Sequence, residues 1–541
     1  MNVSEAVGRT LVARGVRQVF GVVGSGNFHV TNAMVDAGAR FVAARHEGGA
    51  ATMTDAYARM SGETAVLTLH QGCGLTNAMT GITEAAKSRT PVVVVAAAAT
   101  RPLSNFYVDQ EALAASVGAV PMRVGSAETA VADTVAAVDT ARTRRTVVLN
   151  LPLDVQDLEI GELPELPAIP APAAPAPAAE ELSLLVEALE KSERPVFVAG
   201  RGSRGPGCRQ ALERLAEASG ALLATSAVAK GLFNGSEWYL DVSGGFSSPF
   251  AAELIRGADL IVGWGCALNM WTMRHGRLIG EETRVIQVDD DSDAIGSQRP
   301  VAEGVVGDVA VTAEAALGRI GRPSAGYRSE EVRRRIDSEV LWRDVPYEDN
   351  STGDRIDART LSIALDDLLP ADRVVSIDSG NFMGYPSMYL SVPDEWGFCF
   401  TQAFQSIGLG LATAIGSALA QPDRLPVAAL GDGGGLMSIA EMETVVRLGL
   451  PMVVVVYNDE AYGAEVHHFG PDGHDLAIVE FPPTDIASIA RGFGFEGVTV
   501  RGVADLDPVA RWLQGDRSRP LLIDAKVTSQ ASWWLEEAFG H

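Results

Sequence analysis

Leu425-Pro-Val-Ala-Ala-Leu-Gly-Asp-Gly433, followed after the 24 residues 434–457 by Asn458-Asp-Glu460, is the stretch that decides the fold. The apolar run 425–430 reads as a strand, the glycines make a turn, Ser438 to Leu448 has helical periodicity, and Met452 to Tyr457 reads as a buried strand. Such a βαβ unit brings Asp432 and Asn458 to the carboxyl ends of neighbouring parallel strands, where open α/β sheets bind ligands. One carboxylate, one amide oxygen and a backbone carbonyl suit a hard cation such as Mg²⁺, so Asp432, Asn458 and Glu460 are the expected metal set. Free N–H groups at Gly431, Gly433, Gly434 and the helix start suit a diphosphate.

Gly-Asp-Gly with Asn at this distance resembles the cofactor signature of the thiamine-diphosphate-dependent 2-oxo acid decarboxylase and acetolactate synthase family. Three further stretches carry the resemblance. Arg45-His46-Glu47-Gly-Gly-Ala-Ala51, running into Asp55-Ala-Tyr57-Ala-Arg59, is similar to the segment whose glutamate faces the cofactor's aminopyrimidine, which implies that role for Glu47. A carboxylic acid there favours the imino tautomer, whose nitrogen takes the thiazolium C2 proton, and apolar cover raises its pKa. Gln405-Ser-Ile407-Gly-Leu-Gly410 resembles the loop that bends the cofactor, which places Ile407 as the wedge and Gln405 beside it. Asp378-Ser-Gly380-Asn381-Phe382 resembles the loop that helps hold the diphosphate, and Gly-Asn also reads simply as a turn. Tyr462 completes the cofactor set.

Composition agrees. A length of 541 residues gives three or four domains, and 47% hydrophobic residues can build large cores. A net charge of −26 excludes nucleic acid as a partner, because its phosphates would be repelled. Cys73, Cys208, Cys266 and Cys399 show neither zinc spacing nor a disulfide framework. The chain begins with an acidic amphipathic segment in place of a signal sequence, and it has no run of 18 apolar residues, so the expectation is a cytoplasmic protein without a membrane span.

Strand runs alternate with helical patterns throughout, which predicts the α/β class: doubly wound parallel sheets covered on both faces. The Pro/Ala run from Leu163 to Ala178 is extended and marks a boundary. The family's order then implies a pyrimidine-binding domain over 1–160, a linker over 161–180, a central Rossmann-like domain over 181–325, a linker over 326–356 and a diphosphate-binding domain over 357–541. In acetolactate synthases the central domain carries FAD and in other relatives nothing; both alternatives stay open, since Gly200-Arg-Gly202 is too short for a dinucleotide fingerprint. The resemblance implies a homodimer or homotetramer, with each active site at a subunit interface.

The cofactor would add to the carbonyl of a small 2-oxo acid and release CO₂. Two features then diverge. Leu69-His70-Gln71 and the Gly24-Ser25 loop resemble benzoylformate decarboxylase, with His70 as a proton donor and Ser25 in the pocket, and this implies release of an aldehyde. Glu441 to Pro451 resembles the acetolactate synthase branch, and Val108-Asp-Gln110 approximates its pocket glutamine, Gln110, which implies a carboligase. His468 stands where acetolactate synthases carry a Trp, and Ala464 and Glu465 replace large apolar residues, so His468 is a candidate for contacting an extra polar group of the substrate. The leading expectation is an acetolactate synthase-like carboligase; a non-catalytic binder is the third reading, and the presence of Glu47, Asp432 and Asn458 speaks against it.

Overall fold

The computed structural model describes residues 1–169 and 174–538, so residues 170–173 of the Pro/Ala run and Phe539 of the C-terminal segment lie outside the described residues. Three six-stranded sheets, parallel at every strand pairing, follow one another along the chain. The first contains β1 (Gln18–Gly21), β2 (Arg40–Ala43), β3 (Ala65–Leu69), β4 (Val92–Ala98), β5 (Val120–Arg123) and β6 (Thr146–Pro152). The second contains β7 (Pro195–Ala199), β8 (Leu222–Thr225), β9 (Tyr239–Val242), β10 (Leu260–Trp264), β11 (Arg284–Asp289) and β12 (Glu303–Val306). The third contains β13 (Arg373–Ile377), β14 (Phe398–Phe400), β15 (Leu425–Gly431), β16 (Val453–Asn458), β17 (Glu496–Val500) and β18 (Leu521–Lys526). Every residue of β4, β6, β16 and β18 is buried, because helices cover both sheet faces and leave no alternation for solvent.

Strand order is β2-β1-β3-β4-β6-β5 in the first sheet and β14-β13-β15-β16-β18-β17 in the third, the same permutation twice. The central order, β12-β11-β10-β7-β8-β9, is that of dinucleotide-binding folds. Helix α1 (Glu47–Ser61) follows β2, α2 (Cys73–Lys87) follows β3, and α3 (Gly410–Ala420) follows β14. Helices α1 and α3 therefore hold equivalent places in the two repeats, and they pack directly on each other. Gly416 makes this contact close: a Cβ there would sit 2.4 Å from the Met53 carbonyl oxygen. Ala50, Ala51 and Met53 share one core with Leu411, Ala412 and Ile415, so the first and third domains are fused across this seam.

One expectation changes in detail. The helix after Gly431 starts at Asp432 and not at Ser438; it runs Asp432–Met437, passes through a short turn and resumes over Met442–Arg447. Gly433, Gly434 and Gly435 are poor helix formers and hid that first turn. Within 326–356, Glu330–Glu339 is a helix capped by Ser329, and Trp342 is buried with its Nε1 donating to the Phe246 carbonyl at 2.6 Å. Among the described residues no helix is long and apolar enough to cross a membrane.

A buried ion cluster ties the seam to the turn ahead of the Ile407 loop. Arg59 bonds Asp55 (2.9 Å) and Glu84 (2.7 Å) and donates to the Phe400 carbonyl (3.0 Å), while Glu84 accepts from the N–H groups of Ala403 (2.9 Å) and Phe404 (2.6 Å). Arg59→Met would leave two carboxylates buried without a cation, and the expected cost is about 3–5 kcal/mol. A denaturant midpoint equal to that of the unchanged protein would refute this.

Candidate active site

β15 delivers Asp432 directly into the first turn of a helix, at the carboxyl edge of the third sheet. The glycines there are set by close packing. A Cβ on Gly433 would lie 2.7 Å from the Tyr462 ring, and one on Gly434 would lie 2.3 Å from Asp378 Oδ2. Asp432 is buried, and burial, reinforced by the neighbouring Asp459, pushes its carboxyl up to about 7. Burial pushes Asp459, the neighbour of Asp432, up to about 6. Two carboxyl groups thus share this site, and among the described residues no Lys or Arg forms an ion pair with either.

The rest of the Asn458-Asp459-Glu460 run is divided by its partners. Asn458 is 1% exposed; its Nδ2 donates to Asp524 Oδ1 at 2.8 Å, and its Oδ1 has no hydrogen-bond partner. Glu460 has a left-handed backbone (φ 63°), and its carboxylate is held by Arg355 at 2.7 Å, with Lys526 at 3.9 Å. Its side chain is therefore spent on a salt bridge, whereas Asp459 borders the cavity.

Asp378, fully buried at the end of β13, folds the loop that carries Ile407. It accepts from the N–H groups of Ser379 (2.8 Å), Gly408 (2.9 Å) and Leu409 (3.2 Å), and burial pushes its carboxyl up to about 6. Gln405 takes φ 62° at the loop's entrance. Asn381 anchors the C-terminal segment: its Nδ2 donates to the Gln530 carbonyl (2.7 Å), and its Oδ1 accepts from Ser532 N–H (3.0 Å). Gly380, Asn381, Gln405, Ile407, Gly431, Asp432, Gly433, Gly434 and Tyr462 all line one cavity of about 970 Å³.

The N-terminal residues form a separate cluster. Glu47 opens α1 after His46, whose Nδ1 accepts from Gly48 N–H at 3.0 Å, and Glu47 Oε2 accepts from Asn77 Nδ2 at 3.1 Å. The turn before it is fixed by Glu441, which accepts from Arg45 N–H (3.0 Å) and His46 N–H (3.1 Å). His70 Nδ1 accepts from Gly26 N–H at 3.2 Å, so the neutral ring carries its proton on Nε2. Ser25, next to that donor, is exposed. Gln110 is buried, with Oε1 accepting from Gly72 N–H (3.2 Å) and Nε2 donating to Asn150 (2.7 Å); its amide holds the turn after His70 in place. His468 lies on α4 (Gly463–Phe469), edge-on to Phe469 with ring centres 4.6 Å apart. None of Glu47, Ser25, His70, Gln110 and His468 is among the residues lining the cavity. The residues around Glu47 and His70 and the residues of the cavity are thus two separate clusters.

Asp378, Glu441 and Asp459 are the residues that sequence reasoning left without a role. Asp459 had a signal, an acid beside Asn458; the duties of Asp378 and Glu441 lie in contacts 30 and nearly 400 positions away and had none. The same cavity reaches the carboxyl ends of the central strands. There Asp289 is paired with Arg89 (3.8 Å) and Arg144 (4.0 Å), and Gly202 packs on Gly265, its N–H donating to the Gly265 carbonyl at 3.0 Å.

Comparison with known proteins covers all three domains. The chain matches the thiamine pyrophosphate enzyme N-terminal TPP binding domain over residues 1–119, the central domain over 182–316 and the C-terminal TPP binding domain over 378–525. It is 28% identical to a sulfoacetaldehyde acetyltransferase of Alcaligenes xylosoxydans xylosoxydans, across 94% of this chain and 89% of that protein. It is 27% identical to the large subunit of acetolactate synthase isozyme 2 of Escherichia coli (strain K12), across 92% and 90%. Its fold superposes with TM-score 0.82 on a thiamine diphosphate-dependent 4-hydroxybenzoylformate decarboxylase of Rhodococcus jostii RHA1, at 23% identity over 98% of this chain and 100% of that one.

Asp378→Ala would strand the N–H groups of Gly408 and Leu409, at an expected cost of about 1–3 kcal/mol. Chemical denaturation checks this, and a variant as stable as the parent would remove Asp378 from its place under the Ile407 loop.

Proposed function

The chain belongs to the thiamine pyrophosphate enzymes, and on that premise we propose that it is a thiamine-diphosphate- and Mg²⁺-dependent enzyme that decarboxylates a 2-oxo acid and joins the acyl unit to a second carbonyl. The observation that carries this reading is the C-terminal cradle: buried Asp432 beside glycines that tolerate no Cβ, facing the bend built on Asp378. Asp432 is a ligand for the cation, and the N–H groups at the start of its helix face the diphosphate. Ile407, presented by the Asp378 bend, would be the apolar side chain set against the cofactor's rings. When bound, thiamine diphosphate supplies the carbon nucleophile that makes decarboxylation feasible.

Glu47 holds the proton shared with the aminopyrimidine, and Asn77 fixes its carboxylate. His70, with its proton on Nε2, serves as donor towards the substrate's carbonyl oxygen. Glu47 does not line the cavity, so the reading requires a second copy whose N-terminal cluster covers it. Exposed apolar side chains flank both halves, Phe28, Leu103 and Phe106 on one and Phe404 and Met437 on the other, which supports a homodimer or a dimer of dimers. Relatives named acetyltransferase and acetolactate synthase support transfer of the acyl unit. The tautomer of His70 favours a second reading, a decarboxylase that protonates the acyl unit and releases an aldehyde.

CO₂ release and product analysis with pyruvate, then benzoylformate, separate the two. A carbon–carbon bonded product establishes the ligase, an aldehyde the decarboxylase. Glu47→Gln is expected to abolish turnover while thiamine diphosphate still binds; full activity would sink the assigned proton role. Glu47→Gln and Asp432→Asn, each inactive alone, are expected to regain activity at roughly a quarter of the sites after subunit exchange. No recovery despite exchange would argue against a shared site.

A further inference from the structure

The helical run that starts at Asp432 reaches into the first domain. After Asp432–Met437 it passes through Ile439–Glu441 and resumes over Met442–Arg447, and its second half grips the turn between β2 and α1. Glu441, 2% exposed, accepts from the N–H groups of Arg45 (3.0 Å) and His46 (3.1 Å), and its Oε2 accepts from the Thr444 hydroxyl at 2.7 Å. Arg447 donates to the Ala43 carbonyl, and Glu443 lies 3.8 Å from the Arg45 guanidinium. Gly49, in the first turn of α1, leaves room for the carboxylate: a Cβ there would lie 2.5 Å from Glu441 Oε1. Glu47 is the residue that follows the gripped turn. Charge-assisted bonds from one buried carboxylate to two successive N–H groups hold that turn more firmly than neutral bonds would.

Asp432 lines the cavity and Glu47 does not, so on the shared-site reading above each chain's Glu47 works at the cavity of a second copy. We infer that Glu441 is a positioning residue for Glu47, and that it therefore serves the active site opposite to the one its own helical run opens with Asp432. One continuous segment, 432–447, works at two active sites: its first turn at one and, through Glu47, its Glu441 at the other. This rests on the thiamine-diphosphate and shared-site readings. Loss of the Glu441 charge loosens the Arg45-His46 turn and lets Glu47 leave its place, which slows the proton transfer that Glu47 supports and leaves the cradle at Asp432 able to hold the diphosphate.

The test uses the full-length protein with thiamine diphosphate and Mg²⁺. In Glu441→Gln, exchange of the bound cofactor's C2 proton into D₂O, read by acid quench and NMR, is expected to slow about tenfold or more, with thiamine diphosphate affinity within about threefold of the parent. Unchanged exchange overturns the inference, and so does a loss of affinity as large as the loss of exchange rate.

Subunit exchange then shows which site Glu441 serves. Hybrids of Glu47→Gln and Asp432→Asn chains keep one working site, made of Glu47 from the Asp432→Asn chain and the cavity of the Glu47→Gln chain. Adding Glu441→Gln to the Asp432→Asn chain is expected to cut the recovered activity about tenfold, whereas adding it to the Glu47→Gln chain leaves that activity within about twofold. The reverse pattern assigns Glu441 to its own cavity, equal losses assign it to the fold alone, and no loss from either placement assigns it nothing; each overturns the inference. Thr444→Val, which removes the hydroxyl that donates to Glu441, should show the same one-sided loss in smaller measure, and it carries the test where Glu441→Gln fails to fold. Recovery by the hybrids with Glu441 unchanged keeps these failures distinct from failure of the shared-site reading; without that recovery both fall.

Discussion

The α1–α3 seam is the constraint on which the rest of the structure depends. Small residues on both helices, with Gly416 against the Met53 carbonyl, let two structurally equivalent helices approach until the first and third domains share a core. Buried small-residue contacts of this kind have one geometry, because interiors are close-packed and an added methyl group must displace backbone. Arg59 and Glu84 extend the seam by polar contacts to residues 400–404, just ahead of the Ile407 loop, and Glu441 extends it in the other direction to the turn before Glu47. Each of the two clusters is thus held by side chains of the opposite domain of the same chain.

That arrangement has a cost in completeness. Glu47 is held by the seam at one edge, and Asp432 opens into a cavity shared with the central domain. Glu47 stands apart from the cavity that Asp432 lines, and exposed apolar side chains lie by both: Phe106 against His70, Met437 in the cavity wall. Burial of those surfaces against a second copy would both remove apolar area from water and close the site, which couples assembly to chemistry.

The third sheet's edge concentrates unfavourable electrostatics: Asp378, Asp432 and Asp459 are all raised above the usual carboxylate range, with burial the largest cause for each. Their solutions differ. Asp378 is satisfied internally by three backbone N–H groups and serves the loop, whereas Asp432 and Asp459 are neighbours at the cavity, each also taking backbone N–H groups. Strongly perturbed groups in a cleft are a mark of function for that reason.

The sequence by itself determined the fold class, the βαβ unit at 425–458 and the family, because apolar runs of strand length and glycine turns are local patterns that burial on both faces imposes residue by residue. It also picked out residues that line the cavity: Gly380-Asn381, Gln405, Ile407 and Gly431 to Gly434. The twofold use of one strand order stayed hidden, since topology leaves no periodic signal when the two repeats differ in sequence. Tertiary structure alone decided which member of Asn458-Asp459-Glu460 faces the cavity, because that choice depends on Asp524, Arg355 and a left-handed residue. It alone assigned Gln110 to Gly72 and Asn150, and His70's proton to Nε2. Side-chain direction and hydrogen-bond partner are set by residues tens to hundreds of positions away, brought together only when the sheets pack.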